Sequence, residues 1–387
     1  MKRGRTGEYE ISIVGGERIY AFVPFPLPPD PPLEMTSERQ RLLERATLAL
    51  GRLDSISLLL PDPNLFLYSY VRREAVLSSQ IEGTQSTLTD LLRYEVAGAG
   101  GMPIEDVTEV SSYVSALEYG LKRLQEGFPL SGRLIREMHA VLLAQGRGSE
   151  KEPGEFRRSQ NWIGGTRPGN AQFVPPPHHR VGECMANLER FLHDPNSAYP
   201  SLVKAGLAHV QFETIHPFLD GNGRIGRLLI TFILHREQVL TRPLLYLSLY
   251  LKKHREEYYR LLNAVRFEGD WEAWIDFFLE GVDQTATNAV ETARHLVELF
   301  QNGAQAIQQV GRRASTALNV FRLFCQKPLL SIPQISEQAA LSYPAVSNAI
   351  QVLEALGIVE EITEQRRNRL FAYKEYLRIL SEGTEPL

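Results

Sequence analysis

HPFLDGNGRIGR, residues 216–227, is the stretch of this sequence that carries most of the information about its fold. Two glycines flank Asn222, and glycine permits backbone angles that turn successive amide N–H groups towards one point. The apolar run 228–234 follows, so a helix is expected to begin near Arg224 and to add its positive N-terminal end. The stretch therefore predicts a loop that binds an anion at the start of a buried helix.

The charged side chains of this stretch suit a polyphosphate ligand. Arg224 and Arg227 share a helical face, and their forked donors match phosphate oxygens. Asp220 supplies a carboxylate, and Mg²⁺ is commonly held by one or two carboxylates together with the phosphates of its ligand. His216 carries an imidazole suited to general base catalysis. Each feature alone is more common in a turn, a cap or a solvated helix face. Their combination within twelve residues favours a functional site over a purely structural role.

Helical periodicity surrounds this stretch on both sides. Apolar residues recur at intervals of three and four over residues 37–60, 65–81, 110–124, 130–143, 181–192 and 202–214. PDPN at 61–64 separates the first two helices, and Gly83 ends the second. Thr87 and Asp90 form a capping box that opens another short helix, and residues 97–103 are a predicted joint.

Two segments are expected to be extended rather than helical. Residues 160–163 and 171–174 flank GGTRPGN, which predicts a hairpin with a flexible tip, here called the flap. Near the N-terminus, the β-prone runs 9–14 and 19–23 precede PFPLPPDPPL at 24–33, whose prolines favour extended geometry. We expect this arm to lie on the domain.

Residues 315–378 read as a separate module. Three short helices and two strands are predicted within residues 317–326, 335–341, 344–357 and 358–373. This is the order of a winged helix, and residues 343–357 would be its recognition helix, yet they contain no Lys or Arg. Arg366, Arg367 and Arg369 cluster in the predicted wing. DNA binding and a protein–protein or dimerisation role both stay open.

The composition limits the classes of protein. The chain has 387 residues, 43% of them hydrophobic, which predicts a globular protein of two or three domains. A net charge of −4 argues against an extensive nucleic-acid-binding surface. Cys184 and Cys325 lack the spacing of metal ligands or of a disulfide framework, which favours a reducing compartment. No apolar run is long enough for a membrane span, so we expect a soluble, cytoplasmic protein.

The motif resembles the signature of the Fic family, HPFxx(G)NGRxxR. It is matched at every defined position, by His216, Pro217, Phe218, Gly221, Asn222, Gly223, Arg224 and Arg227. QNWIGG at 160–165 with FVPPP at 173–177 is similar to the flap of that family, and residues 254–265 are similar to its nucleotide-side helix. The resemblance covers most of residues 35–300.

The resemblance implies a mainly α fold: a Fic-type helical bundle with a short β-hairpin flap, followed by a C-terminal winged helix. The implied parts are an N-terminal arm and helical region at 1–105, a catalytic core at 106–305 and the C-terminal domain at 306–387. A homodimer stays open.

The resemblance also implies an activity, the transfer of AMP from ATP to a Ser, Thr or Tyr hydroxyl of a target protein or of the protein itself. His216 would act as the base and Asp220 would hold Mg²⁺. The residues implied to bind the nucleotide are Gly221, Asn222, Gly223, Arg224, Ile225, Gly226, Arg227, Tyr258 and Tyr259. Amides 221–223 and the Asn222 side chain would stabilise developing charge. Arg224 would bind the β-phosphate and Arg227 the γ-phosphate, while Ile163 and Gly164 would pin the target backbone.

SSQIEG at 78–83 matches the inhibitory motif of that family, (S/T)xxxE(G/N), through Ser78, Glu82 and Gly83. The resemblance implies that Glu82 pairs with Arg227 and takes the place of the γ-phosphate, which would leave the isolated protein nearly inactive. The alternative function is a winged-helix transcriptional regulator whose Fic-like part senses nucleotide without turnover.

Overall fold

The computed structural model describes residues 2–59, 64–97, 104–363 and 369–386. Most of the predicted break at 61–64 and joint at 97–103, together with Arg366 and Arg367, lie outside these described residues. Helices make up 63% of the structure and the sheets are small, so the predicted mainly α fold is confirmed.

Fifteen α-helices and five strands are named within the described ranges. In chain order they are β1 (Gly7–Val14), β2 (Glu17–Pro24), α1 (Ser37–Leu59), α2 (Asn64–Ile81), α3 (Leu88–Ala97), α4 (Ile104–Gln125), α5 (Gly132–Leu142), α6 (His178–His193), α7 (Ser201–Ile215), α8 (Asn222–Arg236), α9 (Ser248–Lys253), α10 (Arg255–Glu268), α11 (Trp271–Gln308), α12 (Ala314–Gln326), β3 (Leu329–Ser331), α13 (Ile332–Ala339), α14 (Tyr343–Ala355), β4 (Glu360–Glu361), β5 (Leu370–Ala372) and α15 (Lys374–Ser381).

The helix termini follow from local sequence signals. At the start of α3, the Thr87 N–H donates to Asp90 Oδ2 at 2.9 Å and the Asp90 N–H donates to Thr87 Oγ1 at 3.3 Å. These two bonds are the predicted capping box. The helix α8 begins at Asn222, two residues earlier than expected, because Gly221 adopts a left-handed conformation with φ 75° and starts the helix there.

The described chain forms two compact units, each built from three separate segments. The first unit contains residues 1–51, 111–241 and 250–285, and the second contains residues 52–110, 242–249 and 286–387. The predicted boundaries near 105 and 305 stay a prediction. Each unit is described by itself below.

The first unit is centred on α7, which is buried on every side from Leu202 to Ile215. Even its polar side chains, such as His209 and Glu213, are buried, so the helix lies inside the core rather than at its surface. Gly206 permits a close approach on one side of α7, since a Cβ there would lie 3.0 Å from Ile275 Cδ1, and its carbonyl accepts from Trp274 Nε1 at 2.9 Å. This packing fixes α7, so the residue that follows it, His216, starts from a rigid support.

The predicted N-terminal arm is a β-hairpin that lies on the first unit. Strands β1 and β2 pair antiparallel from Gly7↔Pro24 to Val14↔Glu17. The Phe22 N–H donates to Val174 O at 2.9 Å, which joins β2 to the end of the flap. The rings of Phe22 and Phe173 lie 5.8 Å apart between centroids. The arm therefore extends the flap on one side.

The second unit contains α2, α3 and the C-terminal helices and strands. β3, β5 and β4 form an antiparallel sheet in that spatial order. The order of α12 to α14 with these strands agrees with the predicted module, whose identity as a winged helix stays a prediction. Gln80 on α2 donates to Ser86 O at 2.9 Å and to Thr384 O at 2.8 Å, so the last described segment packs on α2.

Within the described ranges, no helix combines the length and the apolarity needed to cross a membrane. Cys184 and Cys325 are both buried free thiols.

Candidate active site

The motif loop, residues 216–221, joins α7 to α8 through two left-handed residues. His216 has φ 48° and ψ 61°, and its N–H donates to Phe212 O at 2.9 Å as the last bond of α7. A left-handed conformation is uncommon for a residue with a side chain, and such strain persists only where the surroundings enforce it. Pro217 follows and cannot donate a further helical hydrogen bond. The half-buried His216 is therefore fixed at the turn of the chain.

The Asn222 side chain braces this loop from inside. Its Oδ1 accepts from the Phe218 N–H and its Nδ2 donates to Phe218 O, both at 2.9 Å. Asn222 is only 2% exposed. Both ends of its amide are therefore used by the loop, and its backbone N–H is the group that it offers to an anion.

A histidine that sequence reasoning missed supports the same loop. The His139 ring stacks on Phe218 at 3.7 Å between centroids, and its Nδ1 accepts from the Gly154 N–H at 2.8 Å. Its Nε2 therefore carries the proton and donates to Asp220 O at 3.0 Å. Burial lowers the pKa of His139 to about 4, so the ring is neutral at physiological pH and this donor arrangement is maintained.

The anion-binding part of the site is the start of α8. The first N–H groups of any helix lack an intrahelical acceptor, and here they belong to Asn222, Gly223 and Arg224. Arg224 and Arg227 are 1% and 3% exposed, and Arg224 Nη2 lies 3.4 Å from Asp220 Oδ1. A helix N-terminus with Arg224 beside Asp220, and with Arg227 about one turn further along the helix, suits the binding of a phosphate chain.

Ile225 and Gly226, which the resemblance includes in the nucleotide site, pack in the core. Ile225 is 0% exposed. A Cβ on Gly226 would lie 2.3 Å from Glu213 Oε1, and Gly226 O accepts from His209 Nδ1 at 2.9 Å. Gly226 therefore permits the close approach of α7 and α8 that sets the loop between them.

Asp220 fits the expected magnesium ligand. Its carboxylate is 29% exposed, and Oδ1 accepts from the Gly221 N–H at 2.6 Å. Oδ2 faces Gly148, where a Cβ would lie 2.9 Å away, so the absence of a side chain at that position leaves space beside this oxygen. Among the described residues no group of three or more His, Cys, Asp or Glu could hold a metal ion. A single carboxylate that shares a cation with substrate phosphates is consistent with this arrangement.

The predicted flap is present as a minimal hairpin. Ile163 and Phe173 form one isolated antiparallel bridge, in which the Ile163 N–H donates to Phe173 O at 2.8 Å. Gly164 has φ 68° and is exposed. Asn161, just before the bridge, donates from Nδ2 to Phe218 O at 2.9 Å, which ties the flap to the motif loop.

The two tyrosines expected near the adenine differ in their surroundings. Tyr258 is 1% exposed, whereas Tyr259 is 38% exposed. Since His209 Nδ1 donates to Gly226 O, its Nε2 accepts from the Tyr258 hydroxyl at 2.8 Å. Tyr258 thus belongs to the core, and Tyr259 is the one that a ligand can reach.

The predicted inhibitory residues lie at the end of α2 in the second unit. Ser78 is 0% exposed on the last turn of the helix. The Glu82 N–H donates to Ser79 O at 3.0 Å, and Gly83 has φ 104°, so the helix ends where the sequence predicts.

Sequence reasoning missed three supporting residues: His139, Asn161 and Arg157, whose Nε donates to His216 O at 2.9 Å. Asn161 lies inside the recognised flap segment, but no spacing in the sequence marks its bond to Phe218. His139 and Arg157 lie on chain segments distant from the motif, so only the fold reveals their roles.

A helix-to-helix loop that carries a histidine, a helix start that carries two arginines and a flanking hairpin are the features expected of a phosphate-binding helical protein. Residues 40–122 match the family described as Fic/DOC family N-terminal, and residues 129–234 match the Fic/DOC family. The chain belongs to the Fic/DOC family.

Curated relatives include proteins named protein adenylyltransferase Fic. The one from Drosophila melanogaster is 31% identical over 209 residues, which cover 53% of this chain and 39% of that protein. The one from Drosophila pseudoobscura pseudoobscura is 31% identical over 245 residues, which cover 61% of this chain and 44% of that protein. The aligned part of the chain thus spans less than half the length of these relatives.

Solved structures share the fold. A Fic family protein from Desulfovibrio desulfuricans G20 aligns with a TM-score of 0.57 and 22% identity, covering 88% of this chain and 97% of that chain. Residues 134–508 of Fic-1 from C. elegans align with a TM-score of 0.52 and 22% identity, covering 67% of this chain and 72% of that chain. The predicted Fic-type helical fold is therefore confirmed.

Proposed function

We propose that this protein transfers AMP from ATP to the hydroxyl group of a serine, threonine or tyrosine, in a target protein or in the protein itself. The observation that carries the proposal is the junction of α7 and α8. It places His216 at a fixed turn beside the start of a helix that presents Arg224 and Arg227. The curated relatives named protein adenylyltransferase Fic support the same reaction class.

In the proposed reaction the target hydroxyl attacks the α-phosphorus of ATP. The bond from this phosphorus to the oxygen that bridges to the β-phosphate breaks, and diphosphate leaves. His216 takes the proton of the hydroxyl, a step that a positioned imidazole accelerates by about 10²–10⁴-fold. The flap residues Ile163 and Gly164 hold the target backbone by strand addition, which brings the hydroxyl to His216.

The remaining residues of the site act on the phosphates. The backbone N–H groups of Asn222 and Gly223 stabilise the negative charge that develops, because the Gly221 N–H already donates to Asp220 Oδ1. Arg224 and Arg227 bind the β- and γ-phosphates. Asp220 is the residue that would hold Mg²⁺, which supplies charge neutralisation at the phosphate oxygens when bound. The bond from the Gly221 N–H to Asp220 Oδ1 orients this carboxylate.

Self-inhibition by Glu82 is part of the proposal and rests on the sequence motif 78–83. A carboxylate that competes for the guanidinium of Arg227 would leave ATP in a pose that is not in line for attack. Removal of this carboxylate should therefore release the activity.

The test compares ATP labelled on the α-phosphate with ATP labelled on the γ-phosphate, using the Glu82→Gly protein with magnesium. We expect label from the α-position alone on protein, together with a mass increase equal to one AMP. Label from the γ-position would instead indicate phosphate transfer. Binding of ATP without any transfer would favour the nucleotide-sensing alternative.

A further inference from the structure

Arg157 lies beside the end of α7, in the segment between α5 and α6. It is 2% exposed. Its Nε donates to His216 O at 2.9 Å, and its own backbone N–H donates to Pro217 O at 2.9 Å. Its Nη2 also lies 3.5 Å from Ile215 O. Carbonyls at a helix C-terminus lack intrahelical donors, so Arg157 satisfies the groups that α7 leaves open.

These contacts bear directly on the conformation of His216. The peptide groups on either side of its Cα end in Ile215 O and His216 O, and Arg157 contacts both oxygens. The orientation of these two groups is what defines the left-handed φ and ψ of His216. The guanidinium therefore stabilises the backbone turn that presents the imidazole.

The same guanidinium also holds both ends of the flap. Nη1 donates to Ser159 O at 3.2 Å, and Nη2 donates to Pro176 O at 2.5 Å. Ser159 precedes the first flap segment, and Pro176 follows the second. One buried side chain thus connects the base of the flap to the residue that carries the imidazole.

The charge and shape of arginine both matter at this position. Burial lowers the pKa of Arg157 to about 10, so the group remains charged at neutral pH. Its hydrogen-bond acceptors named above are all carbonyl oxygens, which a planar fork with five N–H donors can serve together. A lysine has a single point of charge on a flexible stem and cannot reproduce this fork.

We propose that Arg157 is a positioning residue for the transfer reaction: it sets the distance between His216 and the polypeptide that the flap holds. This inference rests on the proposed function. Arg157 acts through the backbone of residues 215–217 and of the flap, whereas the phosphates are bound by α8. Loss of Arg157 therefore slows transfer and leaves the affinity for ATP almost unchanged.

The experiment uses the full chain with Glu82→Gly as the parent, and compares Arg157→Met, Arg157→Lys and the control Arg39→Met. Arg39 is a suitable control because it is 8% exposed in the same unit and bonds to Asp276 Oδ1 at 2.7 Å. The first readout is the rate of self-labelling from α-labelled ATP at saturating ATP and magnesium. The second is the Kd for magnesium ATP, measured by calorimetry.

We expect Arg157→Met to label about 100-fold more slowly than the parent, since misplacement by about 1 Å costs this much. Its Kd for magnesium ATP should stay within about 3-fold of the parent value, because no phosphate contact is removed. Loss of such a contact would cost about 1.4 kcal/mol or more, which corresponds to a tenfold change in Kd. Arg157→Lys should be slower by about tenfold, and Arg39→Met should label at nearly the parent rate despite lower thermal stability.

Two results would overturn the inference. The first is an Arg157→Lys protein that labels at the parent rate. The second is a decrease in both the labelling rate and the affinity for ATP that is similar in the Arg157 and Arg39 variants. If Arg157→Met does not fold, Arg157→Lys decides alone. A parent that binds ATP but transfers no AMP would instead overturn the proposed function, so the two failures are distinguishable.

Discussion

The motif loop and the end of α2 were both identified by short motifs, but they differ in how far contacts within their own unit account for their proposed roles. In the loop, Asn222 and His139 fix Phe218 and Asp220 through four contacts, so the conformation of the loop is determined by residues of the first unit. At the end of α2, Ser78 is buried and Gly83 ends the helix, which explains the local fold. The proposed inhibitory role of Glu82 requires an interaction with Arg227, which the motif 78–83 does not itself encode.

The largest expected effect tests the loop. In the Glu82→Gly background, His216→Ala should slow AMP transfer by about 1,000-fold, within the range for loss of a general base. The Kd for ATP should change little, because the phosphates are bound by α8. Single-turnover labelling measures this rate, with the exposed His178→Ala as the control. Residual transfer within tenfold of the parent would show that His216 is not the base.

Acidification tests the neutral histidines that support the loop. Burial lowers the pKa of His139 to about 4 and that of His209 to about 3. Between about pH 6.5 and about pH 4 the unfolded chain binds protons at these histidines more readily than the folded protein does. The free energy of unfolding is therefore at its full value above the unfolded pKa of about 6.5 and decreases as the pH falls towards 4. His139 alone should account for about 3 kcal/mol of this loss.

Urea unfolding at pH 7 and at pH 4.5 measures that loss. The variant His139→Gln keeps a donor for Asp220 O but does not titrate, so its free energy of unfolding should depend less on pH. An identical pH dependence in both proteins would contradict the assigned role of His139.

The contact between α7 and α8 gives a smaller but well-controlled effect. Gly226→Ala places a Cβ 2.3 Å from Glu213 Oε1, so we expect a loss of about 2 kcal/mol by overpacking. Gly182→Ala on α6 is the matched control, since its Cβ would meet nothing within 4 Å. That change should stabilise the helix by about 0.5–1 kcal/mol. Thermal unfolding distinguishes the two variants. Equal shifts in their melting temperatures would show that the close approach of α7 and α8 does not constrain the fold.

The smallest expected effect concerns the end of α2. Glu82→Gly should raise self-labelling by about tenfold, which corresponds to about 1.4 kcal/mol of inhibition. Glu82→Gln, which keeps the side-chain length without the charge, should give an intermediate rise. Glu118→Gln, an exposed carboxylate on α4, is the control. If neither Glu82 variant labels faster than the unmodified protein, the motif 78–83 has no inhibitory role here.

The sequence was sufficient for features whose residues are contiguous or periodic. The left-handed turn at Gly221 and the capping box at Thr87 follow from neighbouring residues, whereas the start of α8 was predicted two residues too late. The roles of His139 and Arg157 could not be predicted, because their contacts with Asp220 and His216 join residues that are 81 and 59 positions apart in the sequence. The burial of Tyr258 was likewise set by its bond to His209 on α7, a contact that the spacing on α10 does not encode.

The exposed tip of the flap has a consequence for how such a protein can diversify. Residues 164–166 are exposed, whereas Arg157 and Asn161 anchor the flap below that tip. Substitutions at the tip can therefore accumulate without moving the imidazole of His216. Homologous proteins could in this way come to bind different target proteins while the proposed reaction stays the same. Variation among homologous sequences should concentrate there and be depleted at the anchoring side chains.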